Sequence, residues 1–370
     1  MDDRPIRGGI GAVLTDLRRT RHPIVPSASR RNTLGLRIVR HMTHADSGAD
    51  QESTLTVVLA FGANLAIALA KSVAAALTGS ASMVAEATHS WADTGNEVLL
   101  LIANRRSRHA PDRAHPLGFG REAYIWSMFA ALGLFALGAG VSITHGIQEL
   151  VHPEPATDYG IAYAVLGISF VLEAISFRQA YTQVRGEAAA ADRDLLEQAL
   201  HTSDPTVRAV FAEDAAALIG LVIAFAGVLL HQVTGSPVPD AIGSILVGVL
   251  LGVIAVILID RNRRFLVGEE ASPQLRNAGL RALLDLPEVE RVTMLRMEYL
   301  GPRQVYLVGA VDLVGDSAEH TVAEQLDRCE RALERHPNIR KAVLSLSTPG
   351  DPALTPDAPL PSGEGNPRPV

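Results

Sequence analysis

Hydrophobic positions are unevenly spread along the chain. Between residues 54 and 259 they gather into six blocks, and on either side they thin to the density of water-exposed protein. The blocks cover roughly 54–77, 82–103, 123–150, 159–177, 207–230 and 241–259. A helix needs about 20 mostly apolar residues to cross the hydrocarbon of a bilayer, and each block is close to that length. The pattern predicts an α-helical membrane domain of six spans over 53–265. Thr78-Gly79-Ser80-Ala81 is just long enough to turn the first span into the second as an antiparallel hairpin. The third block carries Gly133, Gly138, Gly140 and Gly146, which permit close helix contact.

After the sixth block the period changes. Helical periodicity over 273–286 gives way to strand-like alternation over 289–299 and 305–314, with Gly301-Pro302-Arg303 between the two. A second amphipathic helix follows over 317–336, stopped by Pro337, and a third strand over 339–347. The order α-β-β-α-β over 268–348 predicts a small open sheet with helices on one face. Glu330 and Glu334 beside Arg328, Arg331 and Arg335 read as a solvated helix face. The Pro-, Gly- and Ser-rich stretch 349–370 reads as a disordered tail. Residues 1–52 are Arg-rich and read as a disordered basic tail. They superficially resemble an organellar transit peptide, and Met42 is a candidate later start.

Charge adds orientation. The chain of 370 residues is 48% hydrophobic, with 33 Lys+Arg against 40 Asp+Glu and a net charge of −7. That balance argues against nucleic acid as a partner. The single cysteine, Cys329, excludes a disulfide framework and any Cys-cluster metal site. Arginines crowd three connections: Arg105, Arg106, Arg108, Arg113 and Arg121 after the second block; Arg178, Arg185, Arg193 and Arg208 after the fourth; Arg261, Arg263 and Arg264 after the sixth. The other three connections contain neither Lys nor Arg. The positive-inside rule then puts both termini in the cytoplasm.

Ionisable groups inside a span are costly and are functional candidates by default. The second block holds His89 and Asp93, four residues apart on one helix face, where both side chains reach a single divalent ion. The fifth holds Glu213 and Asp214, and adjacent residues diverge by about 100° around a helix, so only one faces a given point squarely. At 1.5 Å per residue, Asp93 lies roughly 15 Å and Asp214 roughly 12 Å from the cytoplasmic ends of their spans. His89, Asp93 and Asp214 thus form a depth-matched N/O ligand trio for zinc or a neighbouring transition metal, with Glu213 a weaker candidate. The bland reading is an interhelical His–Asp hydrogen bond. Asn64, Lys71, Glu97 and Glu173 are secondary candidates, with Lys71 equally able to snorkel. His145, His152 and His231 lie near the outer surface. Asp204-Pro205 reads as an N-cap and first-turn proline. Gly118-Phe119-Gly120-Arg121 is not a phosphate loop, since no strand precedes it.

These features together resemble the cation diffusion facilitator family. Gly79-Ser80-Ala81-Ser82 followed by Glu86, His89 and Asp93 is similar to the family's pattern after its first span, and 115–122 (HPLGFGRE) to the loop before its third. The resemblance covers roughly 54–348. It implies a homodimeric, proton-coupled exporter of zinc or a related dication with a ferredoxin-like, metallochaperone-like cytoplasmic domain. One departure stands out: zinc-type members carry His or Asp four residues before the fifth-span carboxylate, where this chain has Val210. Asp204-Pro205-Thr206 with Glu213-Asp214 is similar instead to a subgroup that includes the mitochondrial zinc transporters of eukaryotes. The fourth ligand is then Glu213, a water or a residue of another span. His320, His336 and Cys329 lack ligand spacing, so the soluble domain is expected to dimerise rather than to hold metal.

The expectation is a metal-cation efflux transporter of a bacterial plasma membrane, not an enzyme, with Zn²⁺ as cargo (Mn²⁺, Co²⁺ or Fe²⁺ remaining open), protons as counter-substrate and lipid around it. Two alternatives belong to other classes. One is an intramembrane enzyme using His89 as base, weakened because Ser90 is expected to point away from the His89–Asp93 face. The other is a metal sensor without transport.

Overall fold

The computed structural model describes residues 54–153, 158–191 and 193–356. The basic segment 1–52 lies outside them. Six long helices stand where the hydrophobic blocks predict them: α1 (Thr54–Thr78), α2 (Ala81–Ser107), α3 (Glu122–Val151), α4 (Tyr159–Ala191), α6 (Pro205–Thr234) and α7 (Val238–Val267), with a short α5 (Leu195–His201) before α6. Four of them, α3, α4, α6 and α7, are long and apolar enough to cross a membrane, and Asn64–Thr78 forms a shorter apolar stretch within α1. α2 is not among them, because its charged and polar residues lower its hydropathy. It packs against α1, α3, α6 and α7, and Glu86, His89 and Asn96 are buried there.

Two differences from the sequence reading concern the connection after the fourth block. α4 continues well past its expected end at 177, and α5 makes most of the rest helical. Arg208, expected among the exposed charges of that connection, is buried. It donates to the Thr202 carbonyl (2.8 Å) and to Asn262 Oδ1 (2.6 Å). Its guanidinium also lies 5.2 Å from the centre of the Phe265 ring.

Local signals set the helix ends. Ser80 caps α2, its hydroxyl accepting from Met83 N. Asp204 caps α6 by accepting from Thr206 N and Val207 N, with Pro205 in the first turn as expected. Of the α3 glycines, Gly146 lets α3 approach α7 closely: a Cβ there would stand 2.7 Å from Ile245 Cγ1 and 2.8 Å from the Ala241 carbonyl. Within α3, residues Leu134–Ala139 widen into a π-helical turn.

The C-terminal part is α8 (Pro273–Leu284), β1 (Val289–Gly301), β2 (Gln304–Leu313), α9 (Glu319–Leu333) and β3 (Ile339–Leu346), in the predicted order. β1 and β2 are antiparallel and joined through Pro302-Arg303; β3 pairs with β2 in parallel, giving the order β1-β2-β3. α8 and α9 supply Leu280, Leu283, Cys329 and Leu333 to a core with Val292, Leu307, Val311 and Leu344.

Two expectations are corrected here. Glu330 and Glu334 are not merely a solvated face: Glu330 accepts from Leu344 N (2.8 Å), and Glu334 accepts from Ala342 N (3.2 Å) and Lys341 Nζ (2.7 Å). They occupy the backbone donors on the free edge of β3, which blunts it against pairing with another strand. Residues 349–356, assigned to the tail on composition, cross β1: Leu354 N donates to the Val292 carbonyl (2.7 Å) and Arg291 donates to the Asp351 carbonyl (2.8 Å). Leu354 also packs on the core, and burying it outweighs the Pro/Gly bias. Residues 357–370 lie outside the described ones.

The loop at 115–122 joins the two parts. A Cβ on Gly120 would stand 2.5 Å from the Leu300 carbonyl, so only glycine permits this approach to the β1–β2 turn. Arg121 pairs with Glu298 beside it. Tyr124, at the start of α3, stacks on Phe265 of α7 (4.9 Å between centres), and Phe265 meets Tyr299 of β1 edge-on (5.5 Å).

Candidate metal centre

A cavity of about 130 Å³ lies between α1, α2, α4 and α6. Asp93 and Glu97 of α2, Glu173 of α4, and Glu213 and Asp214 of α6 line it, with Asn64, Ser90, Ser176 and Val210. No Lys or Arg is among the lining residues. A concave site lined by five carboxylates and by no basic side chain attracts positive charge.

Of the four candidate ligands, Asp93, Glu213 and Asp214 line the cavity, and His89 does not; it lies one turn behind Asp93 on α2. His89 is fully buried on α2, and its Nδ1 stands 3.4 Å from Asp93 Oδ1. Neither ring nitrogen of His89 has a hydrogen-bond partner, and neither does Asp93 Oδ1. Across the cavity, Glu213 Oε1 accepts from Asn96 Nδ2 of α2 (3.0 Å), and Asp214 Oδ2 accepts from Ser176 Oγ of α4 (2.8 Å). The 100° between adjacent residues therefore splits the α6 pair between two neighbours, with Glu213, not Asp214, turned toward the helix that carries Asp93. Among the described residues, no three His, Cys, Asp or Glu side chains are drawn together closely enough to hold one ion. The hydrogen bonds from Asn96 and Ser176 hold the two α6 carboxylates toward different helices.

Other readings change with the geometry. Lys71 does not snorkel: it is fully buried and pairs with Glu86 at 3.0 Å. Ser90 does not point away from the site but lines the cavity with Asp93, because residues three apart share a helix face as those four apart do. Glu97 accepts from Asn64 (3.3 Å), which ties the cavity end of α2 to α1. Val210 presents an apolar surface one turn from Asp214, where the resemblance led one to look for a ligand. The outer histidines do not converge on the site: His231 is buried with its ring 5.7 Å from that of Tyr159. Cys329 is buried in the sheet-domain core, where burial pushes its thiol up from the ordinary range. Asn96 and Ser176 went unnoticed in the sequence. Their only signal was spacing, Asn96 three residues after Asp93 and Ser176 three after Glu173.

Comparison with known proteins identifies the helical part of the chain. Residues 57–267 match the family model described as the cation efflux transmembrane domain. The chain is 34% identical over 283 residues to metal tolerance protein C4 of Arabidopsis thaliana, covering 76% of this chain and 62% of that protein. It is 34% identical over 250 residues to the mitochondrial proton-coupled zinc antiporter SLC30A9 of Homo sapiens, covering 68% of this chain and 44% of that protein. Magnetosome protein MamB of Paramagnetospirillum magneticum is 23% identical over 242 residues, covering 65% of this chain and 76% of that protein. The matched part thus spans between about two fifths and three fifths of the length of the first two relatives.

Proposed function

The chain belongs to the cation efflux family, and on that premise we propose that it is a transporter, not an enzyme, exporting Zn²⁺ in exchange for protons. The observation that carries this reading is the cavity lined by five carboxylates and by no Lys or Arg. His89, Asp93 and Asp214 bind the ion, and Glu213 joins them as fourth ligand, since Val210 offers none. Asn96 and Ser176 hold the α6 carboxylates ready, and entry of a dication draws the walls together by cancelling the repulsion between them. Protons compete for the same groups, because ligation requires neutral imidazole and ionised carboxylates. A binding event that closes the cavity and is reversed by protonation has the elements of alternating access. The names of the mitochondrial relatives support the metal and the coupling ion. His89 favours zinc over manganese, with Co²⁺ and Fe²⁺ as competitors.

All six long helices span in this reading, with 53–265 as the transport domain and 268–348 as the soluble one. Both termini face the cytoplasm, in a bacterial plasma membrane as the Ala- and Arg-heavy composition suggests. Two copies assemble through the sheet face opposite α8 and α9, which carries Met294, Tyr306, Val308 and Val343. The blunted β3 edge favours that face over strand addition.

The test is zinc flux into proteoliposomes under an imposed pH gradient, repeated with manganese, cobalt and iron(II). Zinc uptake that collapses with the gradient is expected. Gradient-independent flux, or none for any of the four metals, rejects the reading.

A further inference from the structure

Lys71 and Glu86 form an ion pair with both side chains fully buried, Nζ to Oε2 at 3.0 Å. Glu86 lies three residues from His89 on α2, on the side away from the cavity's Glu97 end. Its second oxygen, Oε1, is buried with no hydrogen-bond partner. That oxygen lies against α6 at Gly220, where a Cβ would stand 2.7 Å from it. Glu86 Oε1, the His89 ring nitrogens, Ser90 Oγ and Asp93 Oδ1 thus form a run of buried, unpartnered polar atoms along one helix. Past Glu86 the interface of α1, α2, α4 and α6 is filled by Ala74, Met83, Ala87, Leu166, Leu221, Ala224 and Val228. The pair therefore stands at the border between the polar cavity and an apolar plug.

The identity of the cation is informative. Lys71 is one of two lysines in the chain, the other being Lys341; every other residue of the Lys+Arg set is arginine. A fixed buried pair favours the rigid guanidinium fork, whereas an ammonium is a compact point charge on a flexible stem. As a source of stability a buried ion pair is poor, because desolvation offsets most of the attraction. A displaceable cation needs the properties that lysine has.

We propose that Glu86 is a further cation-binding carboxylate on the exit side of the site, and that the Lys71 ammonium is its tethered counter-cation. While the cavity loads, Lys71 fills the position that the metal occupies next, and this blocks passive passage. A dication moving on from His89 and Asp93 displaces the ammonium from Glu86 as the plug helices part. This rests on the exporter reading above.

Wild type, Asp93→Ala, Glu86→Gln, Lys71→Met and the double variant Lys71→Met/Glu86→Gln are compared by zinc titration in detergent and by flux in liposomes, with and without a pH gradient. Glu86→Gln is expected to bind zinc within about threefold of wild type yet lose at least about tenfold in gradient-driven flux. Lys71→Met frees the carboxylate, so it should bind an additional equivalent of zinc and leak at least about tenfold faster without a gradient. The double variant leaves no lone buried charge and so tests the idea even if a single variant misfolds. It should keep the wild-type elution volume and thermal midpoint but not the driven flux. Wild-type driven flux in the double variant or in Glu86→Gln overturns the proposal, as does a Lys71→Met protein with neither the leak nor the extra equivalent. Full binding and flux in Asp93→Ala would instead bring down the site reading itself, so the two failures are distinguishable.

Discussion

At the scale of single residues, the cavity divides its acidic groups by what each one touches. Asp93 stands beside an imidazole with free nitrogens, whereas Glu213 and Asp214 are each held by one neutral donor. Removing a ligand and removing its holder should therefore differ in degree. Asp93→Ala and Asp214→Ala are expected to abolish zinc flux in liposomes while the protein keeps its elution volume and thermal midpoint. Asn96→Ala and Ser176→Ala leave every ligand in place and are expected to weaken zinc binding by about tenfold, read by titration calorimetry. An Asn96→Ala protein binding as tightly as wild type would take Glu213 out of the ligand set. The Val210 position carries a separate expectation. Val210→His places an imidazole on the cavity wall one turn from Asp214 and should tighten zinc binding relative to manganese.

Among the elements, caps and edges set the stability of the frame. Asp204 satisfies two backbone donors at the start of α6. Asp204→Ala should cost about 1 kcal/mol, seen as a lower thermal midpoint in detergent. The edge of β3 gives a pH signature. Hydrogen bonds and charge from Lys341, with a further bond from Ala342 N, hold the Glu334 carboxyl below its ordinary range. A group with a depressed folded-state pKa stabilises above its unfolded pKa, and that contribution is lost as pH falls through the folded value. Wild type should thus exceed Glu334→Gln in thermal midpoint at pH 7, with the gap closing in acid. An equal gap at both pH values would mean that packing, not the carboxylate, is responsible. The 115–122 loop is an element of contact, not of chemistry: its Gly120 meets the Leu300 carbonyl at backbone distance.

For the whole molecule, the bundle and the sheet domain share a core. Tyr124 and Phe265 from α3 and α7 cluster with Leu280, Val292 and Leu307 of the sheet domain. The half-exposed sheet face is the contact proposed for two copies. Val308→Glu with Val343→Glu should convert a dimer into a monomer by light scattering without lowering the thermal midpoint. A dimer that survives both substitutions would move the interface to the membrane helices, whose outward faces are apolar, as Phe135, Val222 and Val249 are.

Periodicity and spacing along the chain determine the order of elements: six helical blocks, then α-β-β-α-β. These are local properties, written in runs of side chains that a helix or strand must present to one side. Capping at Asp204 and the pairing of His89 with Asp93 are local in the same sense, because the partners lie within one turn. What only the tertiary structure decided involves partners distant in the chain. Glu213 is turned to Asn96 and Asp214 to Ser176, Lys71 is matched with Glu86, Glu330 and Glu334 cover the edge of β3, and residues 349–356 are laid over β1. Each depends on the rotation of one helix or strand against another. That rotation is fixed by packing across the whole bundle, and no window of sequence contains it.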